Sequence, residues 1–567
     1  MTGPASQDLA ASSSGPAPSD PRLTFARFLA DAAAQHADRV AVVSPDQTLT
    51  YRELEARVRE LARALIGAGV VKGARVAIWI ANSPEWIVAA YAVASVGGVV
   101  VPLNTFAGAA ERDHILRHSD ASLLLLQPAL GKHAFLDGLC ADHPGLERGV
   151  AGRLRLPELP QLRRVVCLGI AAARGAVEPW RDLLAQARDV PEALLDAVSA
   201  EVEPSDDGLI IYTSGTTAKP KGVLHTQRAA VLQSHRFADF CRYTPDDRVY
   251  TTYPFFWTAG IAMSIGGAFA AGARLLVQPT FEPGAALEMI ERERATALHA
   301  WPHQQSALAE HPSARDRDLS SLVKLDSHSP VARLAGVEKD VYGVGASYGL
   351  SETFTICSGI PADSPAELRK ACNGVPWPGM TLRIVDPESG APLPAGAEGE
   401  ITVKGVSLMR GYYKVAPEQV LDADGFFHTQ DGGSLDAEGA LHWTGRLSNL
   451  IKTGGANVSP IEIQELLESY PGLRVGIPVG IEHPTLGEVV ILCAVAASGA
   501  AEDEGAVRAW LRERLAAYKV PRRVLFFRAE ELAYTGNQKV QVAPLREAAL
   551  RRLREERAEI QGYRYEP

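Results

Sequence analysis

Cysteine is scarce and unpatterned in this sequence. Six cysteines, at 140, 167, 241, 357, 372 and 493, are spread over 567 residues, and none belongs to a C-x-x-C pair. That spacing excludes a zinc framework and a disulfide scaffold and fits a reducing cytosol. Basic charge is short as well. Lys and Arg number 57 against 67 Asp and Glu, a formal net charge of −10. A nucleic-acid backbone as main partner requires the opposite balance; a local basic pocket for a small anion stays open. No basic start and apolar core stand at the N-terminus. Residues 1–22 are small, polar and proline-rich, and read as a disordered lead-in rather than a secretion signal. Uninterrupted apolar runs are lacking too. Trp86 to Leu103 carries no charge but is broken by Gly97-Gly98 and changes from an Ala-rich pattern to Val99-Val100-Val101-Pro102. That predicts a buried helix and then a buried strand, not a membrane span. Phe255 to Ala273 is broken in the same way at Gly266-Gly267.

What is present points to more than one domain, because 567 residues exceed what one hydrophobic core organises. LTYRELEARVRELARALIGAG (49–69) predicts an amphipathic helix with Thr50 as N-cap and Glu53 closing a capping box. The run 74–80 follows as a strand. Such alternation continues to about 128 and resumes over 209–345, predicting α/β architecture with mainly parallel strands. After about 380, TLRIVD, GEITVKG and LHWTG read as short strands of a β-rich subdomain. From 458 to 555, SPIEIQELLES, VVILCAVAA, AVRAWLRERLAAY and RRVLFF are enough for a small α+β domain.

The polar stretch Thr213–Gly222, TSGTTAKPKG, follows the apolar run Leu209-Ile210-Ile211. It is not a Walker loop, since Pro220 stands where the second glycine would be. It is either a solvated hairpin turn or a loop whose hydroxyls, backbone N–H groups and Lys221 hold an anion. Tyr348-Gly349-Leu350-Ser351-Glu352 is either a turn into a helix or an aromatic face for a ring with one carboxylate for a cation. Asp431 and Arg446 are ordinary surface residues, or a pair that grips a ribose diol and a phosphate. His299 and His303 have i, i+4 spacing, but Pro302 lies between them and no acidic ligand follows, so no metal site is expected there.

Taken in order, TSGTTAKPKG, YGLSE, HTQD (428–431), GRLSNLIKTGG (445–455) and Lys539 in YTGNQKV resemble the adenylate-forming superfamily, in its acyl-CoA synthetase branch. The likeness runs from about Leu23 to about Leu550. It implies an α/β fold with a large N-terminal domain (23–447) of mixed α/β sheets and a β-rich subdomain. A hinge at Ser448, a small mobile α+β lid (448–555) and a tail (556–567) would follow. It implies a ligase that uses ATP, Mg²⁺ and CoA to turn a carboxylic acid into an acyl-adenylate and then a thioester. By the same resemblance Thr213, Ser214, Gly215, Thr216, Thr217 and Lys221 would hold the β- and γ-phosphates. Tyr348 would pack on adenine, Ser351 would touch the α-phosphate, and Glu352 would hold Mg²⁺. Asp431 and Arg446 would bind the ribose, and Lys539 would bridge the carboxylate and the α-phosphate.

Phe256, Trp257, Thr258, Gly345 and Ala346 would line the acid pocket, and Gly454 and Gly455 the CoA tunnel. The indole of Trp257 favours a short or cyclic acid. Ala218, Gln430 and Gln538 depart from the family's usual glycines. An amide-forming or carrier-protein ligase is the alternative, and a non-catalytic nucleotide-binding module a third. A cytoplasmic protein with no membrane span is expected, with a homodimer left open.

Overall fold

The Thr50 hydroxyl accepts from the Glu53 N–H at 3.2 Å in the computed structural model. The Glu53 carboxylate accepts from the Thr50 N–H at 2.8 Å, and the helix Tyr51–Gly67 follows this reciprocal cap. The structure describes residues 16–213, 220–447, 451–453, 456–515, 517–534 and 540–566. The chain divides into two units. The first takes residues up to Leu382, Val403–His428 and Ala437–Leu441; the second takes Arg383–Thr402, Thr429–Asp436 and everything from His442.

In the first unit the apolar stretch at 86–103 becomes the buried helix Pro84–Ser95 and the buried strand Val99–Pro102. Phe255 to Ala273 forms π-helical turns over Ala259–Gly266 that run into the short helix Gly267–Ala270. Gly266 is obligatory there: a Cβ would lie 1.9 Å from Ser234 Oγ on the neighbouring helix Gln227–Phe240. Among the described residues no helix is long and apolar enough to cross a membrane.

Eight strands form the main sheet, in the order Gly411–Tyr412, Lys221–Thr226, Asp207–Thr213, Val99–Pro102, Arg75–Trp79, Leu123–Leu126, Arg164–Cys167 and Val177–Pro179. From Asp207–Thr213 onward the pairings are parallel; the two at the Gly411 end are antiparallel. Alternate residues feed two cores, as the two-residue period of a strand demands. Val76, Ile78, Leu123, Leu125, Leu209 and Ile211 face one core, and Ala77, Trp79, Leu124, Leu126, Ile210 and Tyr212 the other. A five-stranded sheet (Ala297–His299, Arg248–Thr251, Arg274–Val277, Val40–Val43, Thr48–Thr50) and a three-stranded one (Ser347–Leu350, Thr355–Gly359, Val375–Pro376) complete this unit's sheets.

The β-rich stretch forms a four-stranded sheet in the order Met380–Val385, Gly399–Gly405, Phe427–Leu435, Leu441–Arg446. In the second unit Gly487–Ala496 is the central strand, paired with Leu473–His483, Ile451–Thr453 and Arg523–Phe526. Its odd residues Val489, Ile491 and Cys493 pack under the helix Val542–Glu555. Its even residues Val490, Leu492 and Ala494 pack with Pro460–Glu468 and Glu504–Arg512. No cysteine forms a disulfide: Cys140, Cys167, Cys241, Cys357 and Cys493 are buried, and Cys372 is half-buried.

Candidate active site

The strands Asp207–Thr213 and Lys221–Thr226 form a hairpin in which Thr213 faces Lys221. The pair brackets residues 214–219, so Ser214, Gly215, Thr216 and Thr217 lie outside the described residues, as do Ser448, Gly454, Gly455 and Lys539. The helix Ala109–His118 secures the hairpin mouth. His114 Nε2 donates to the Pro220 carbonyl at 3.2 Å, and His118 Nδ1 meets the Tyr212 hydroxyl at 2.8 Å.

Beside Lys221–Thr226 runs the short strand Gly411–Tyr412, with Tyr412 opposite Val223. Tyr412 joins two residues singled out in the sequence. The Lys221 ammonium sits 4.9 Å from its ring centroid, and its hydroxyl donates to Glu352 Oε1 at 2.7 Å. Glu352 and Ser351 lie in a 3₁₀ turn after the strand Ser347–Leu350, whose Tyr348 is buried opposite Ser358. So YGLSE is strand and turn, with no helix after it. His225 Nε2 donates to the Ser351 carbonyl at 2.7 Å; burial pulls this histidine's pKa down to about 4 and keeps it neutral. Glu352 is half-buried, and no lysine, arginine or histidine among the described residues pairs with it. One carboxylate joined through Tyr412 to Lys221, with no basic side chain of its own among the described residues, suits a hard divalent cation, which takes protein oxygens together with substrate oxygens. These residues therefore fit Mg²⁺.

A second group surrounds Trp257. Its indole lies 5.1 Å from Phe256 and 6.4 Å from Trp301. Trp301 lies 4.5 Å from Tyr253, which stacks on His299 at 5.3 Å. The exposed Phe106 meets Phe256 edge-on at 5.8 Å. Thr258 and Ala346 are buried, and open space stands where a Cβ of Gly345 would be. His299 is no metal ligand in this setting. Its Nε2 meets the Tyr243 hydroxyl at 2.7 Å and its Nδ1 the Ser264 hydroxyl at 3.1 Å, and burial lowers its pKa to about 3.

In the second unit Arg446 Nε approaches Asp431 Oδ1 at 2.9 Å, and its Nη1 donates to the Thr429 carbonyl at 2.9 Å. Asp431 is buried and Arg446 half-exposed, so the pair offers one carboxylate and one guanidinium at a single place. Gln430, where a glycine is usual in the resembled family, has φ +60°, and its N–H donates to Glu400 Oε1 at 2.8 Å. The backbone there demands what glycine supplies freely.

Tyr412, Trp301 and His225 were not singled out in the sequence. The aromatic pair in RGYYK and the tryptophan in HAWPH were the available signals, but nothing local says what they face.

This geometry and the order of its motifs define an AMP-binding enzyme. The chain belongs to that family: residues 29–413 match the AMP-binding enzyme and residues 462–539 the AMP-binding enzyme C-terminal domain. It is 35% identical over 499 residues to the 3-[(3aS,4S,7aS)-7a-methyl-1,5-dioxo-octahydro-1H-inden-4-yl]propanoyl:CoA ligase of Mycobacterium tuberculosis, covering 86% of this chain and 92% of that protein. It is 33% identical to a feruloyl-CoA synthase of Amycolatopsis sp, over 87% of this chain and 92% of that one. The solved structure of the amide bond synthetase McbA from Marinactinospora thermotolerans superposes with a TM-score of 0.72 at 28% identity, over 93% of this chain and 100% of that one.

Proposed function

We propose that this chain is an ATP-dependent, AMP-forming ligase that activates a compact or ring-bearing carboxylic acid and passes its acyl group to coenzyme A. The observation that carries this reading is that Tyr412 joins Lys221 to Glu352, while His225, on the same strand as Lys221, holds the carbonyl of the neighbouring Ser351. A cation and a carboxylate joined at one tyrosine, with the cation following a sequence rich in Thr, Ser and Gly, suit a triphosphate and its metal.

In this reading Thr213, Ser214, Gly215, Thr216, Thr217 and Lys221 hold the β- and γ-phosphates, and Tyr348 packs on adenine. Asp431 takes the ribose hydroxyls with Arg446 beside it. Glu352 would hold Mg²⁺, which when bound adds positive charge at the phosphates. A carboxylate oxygen of the acid attacks the α-phosphorus, the α–β phosphoanhydride bond breaks, and pyrophosphate leaves. Ser351 and Lys539 stabilise the charge that grows on the α-phosphoryl oxygens. The CoA thiolate then attacks the acyl carbon and AMP leaves. Residues 448–555 form the lid, Ser448 is its hinge, and Gly454 and Gly455 line the pantetheine path. The cytoplasm, which supplies ATP and CoA, is the location this reading implies.

Phe256, Trp257, Thr258, Gly345 and Ala346 line the acid site in this reading, with Trp301 as a further wall. The aromatic surfaces of Tyr253, Phe256, Trp257 and Trp301 favour a flat or cyclic acid. The ring-bearing acids in the names of two relatives point the same way. The likeness to an amide bond synthetase supports a second acceptor, an amine. Acid-dependent ATP–pyrophosphate exchange over a panel of aromatic, bicyclic and straight-chain acids tests the first step. Mass analysis of products with CoA and with amines then tests the second. Exchange with none of the acids would remove the ligase reading, and amide without thioester would select the second acceptor.

A further inference from the structure

Gln233 lies on the helix Gln227–Phe240 and is fully buried, so its amide must find partners inside the protein. Its Oε1 accepts from Arg236 Nη1 at 3.2 Å, and Arg236 is itself buried. Its Nε2 faces three carbonyls of one short segment: Thr353 at 3.4 Å, Phe354 at 3.3 Å, and Ile356, nearest of the three. Two amide hydrogens serve three acceptors.

The carbonyls converge because the backbone there turns abnormally. Phe354 has φ +52° and Thr355 φ +85°, so two consecutive non-glycine residues are left-handed. For a β-branched residue such as Thr355 that conformation is a true outlier. The turn lays the Thr355 carbonyl on Gly349, where a Cβ would lie 1.9 Å from the oxygen. Gly349 belongs to YGLSE, so the turn and the motif interlock. The Thr353 hydroxyl accepts from the Leu350 N–H at 2.9 Å and lies 2.5 Å from the Thr355 carbonyl. Ser351 and Glu352 sit between these anchors, their carbonyls taken by His225 Nε2 and by the Met409 N–H, each at 2.7 Å.

We infer that Gln233 is a positioning residue for Ser351 and Glu352: it holds the left-handed Phe354–Thr355 turn that aims the pair at the 207–226 hairpin. The inference rests on the ATP·Mg²⁺ reading of that pair. Gln233 touches no reacting atom and acts through the backbone.

The test is a double-mutant cycle on the full chain, with Gln233→Met, Thr355→Gly and the two combined. Mg²⁺-dependent binding of ATP, read by calorimetry, is measured together with melting temperature; it requires no knowledge of the acid. Gln233→Met keeps the side chain's length and removes the donor. It is expected to weaken Mg²⁺-dependent ATP binding about tenfold and to raise the Mg²⁺ needed for half-saturation, with Mg²⁺-free binding unchanged. Thr355→Gly takes φ +85° without strain, so in the Gln233→Met background it should recover most of the loss. A structural role in the core alone gives no such recovery. If Gln233→Met fails to fold, Gln233→Asn, which withdraws the amide by one methylene, is read in the same way. A folded Gln233 variant with wild-type Mg²⁺ dependence overturns the inference, as does a double variant that binds worse than Gln233→Met alone. A wild-type chain with no Mg²⁺-dependent ATP binding removes the site reading as well; failure in the variants alone removes only the role of Gln233.

Discussion

At the scale of single residues, Tyr412 separates two functions that one side chain performs. Tyr412→Phe keeps the ring beneath Lys221 and removes only the hydroxyl that donates to Glu352. Pyrophosphate exchange should therefore need several-fold more Mg²⁺ at an unchanged acid KM. Glu352→Gln, which removes the charge a hard cation needs, should lower exchange far more and be partly rescued by high Mg²⁺. Equal Mg²⁺ curves for wild type and both variants would break the assignment. Trp301→Ala and Trp257→Ala should each reorder a panel of acids by about tenfold or more, toward bulkier ones. Gln430 offers a stability test. Its φ of +60° penalises any side chain with a Cβ. Gln430→Gly should raise stability by about 0.5–1 kcal/mol, the left-handed penalty less the entropy cost of glycine. The midpoint of urea unfolding is the measurement.

At the scale of elements, two buried histidines on strands of two different sheets tie stability to pH. His225 sits on Lys221–Thr226 and His299 on Ala297–His299; burial holds their pKa values at about 4 and 3 against an ordinary 6.5. The unfolded chain takes up protons as pH falls through 6.5, and the folded chain does not. Their stabilising effect is thus complete above about pH 6.5 and is lost as pH drops toward 4 and 3. Each contributes a slope of at most about 1.4 kcal/mol per pH unit. Urea midpoints measured from pH 6.5 to 5, above the carboxylate range, should fall. Burial also lowers the pKa values of His36, His118, His235 and His303, so His299→Gln should flatten that fall only in part; an unchanged slope would show that His299 does not contribute to it.

Elements also mark the limit of what the sequence discloses. The Thr50–Glu53 cap, the alternating core strands and the helix-then-strand reading of 86–103 were legible because they depend on near neighbours. Motif order singled out Glu352, Lys221, Asp431 and Arg446 as candidates, and the structure joins the first two through Tyr412 and pairs the last two directly. The contact of Tyr412 with Glu352 spans sixty residues and has no local trace. The left-handed Thr355 contradicts its own backbone preference, so only tertiary structure explains it. YGLSE ends in a 3₁₀ turn and returns as a strand because the Thr355–Gly359 strand pairs back on Ser347–Leu350.

At the scale of the whole molecule, the proposed division of labour between 23–447 and 448–555 predicts separable half-reactions. Lys539→Ala should abolish pyrophosphate exchange by orders of magnitude while leaving conversion of a prepared acyl-adenylate to thioester, since thiol attack needs no bridge to pyrophosphate. Ser448→Pro should do the reverse, because proline fixes a φ that a hinge must change. Both are read on folded protein with an unchanged melting temperature; joint loss of both steps in either variant would oppose the two-orientation scheme. One further consequence comes from where the cysteines lie. A protein that makes acyl-adenylates holds a strong acylating agent beside its own side chains, and thiolates are the nucleophiles it would modify first. Here burial lifts Cys167, Cys241 and Cys493 to about 12 and raises Cys140 as well, so these sulfurs stay protonated at neutral pH. Only Cys372 is half-exposed. The enzyme is thus armoured against its own intermediate: after prolonged turnover without CoA, intact-mass analysis should find at most one thiol acylated, and Cys372→Ser should remove that adduct.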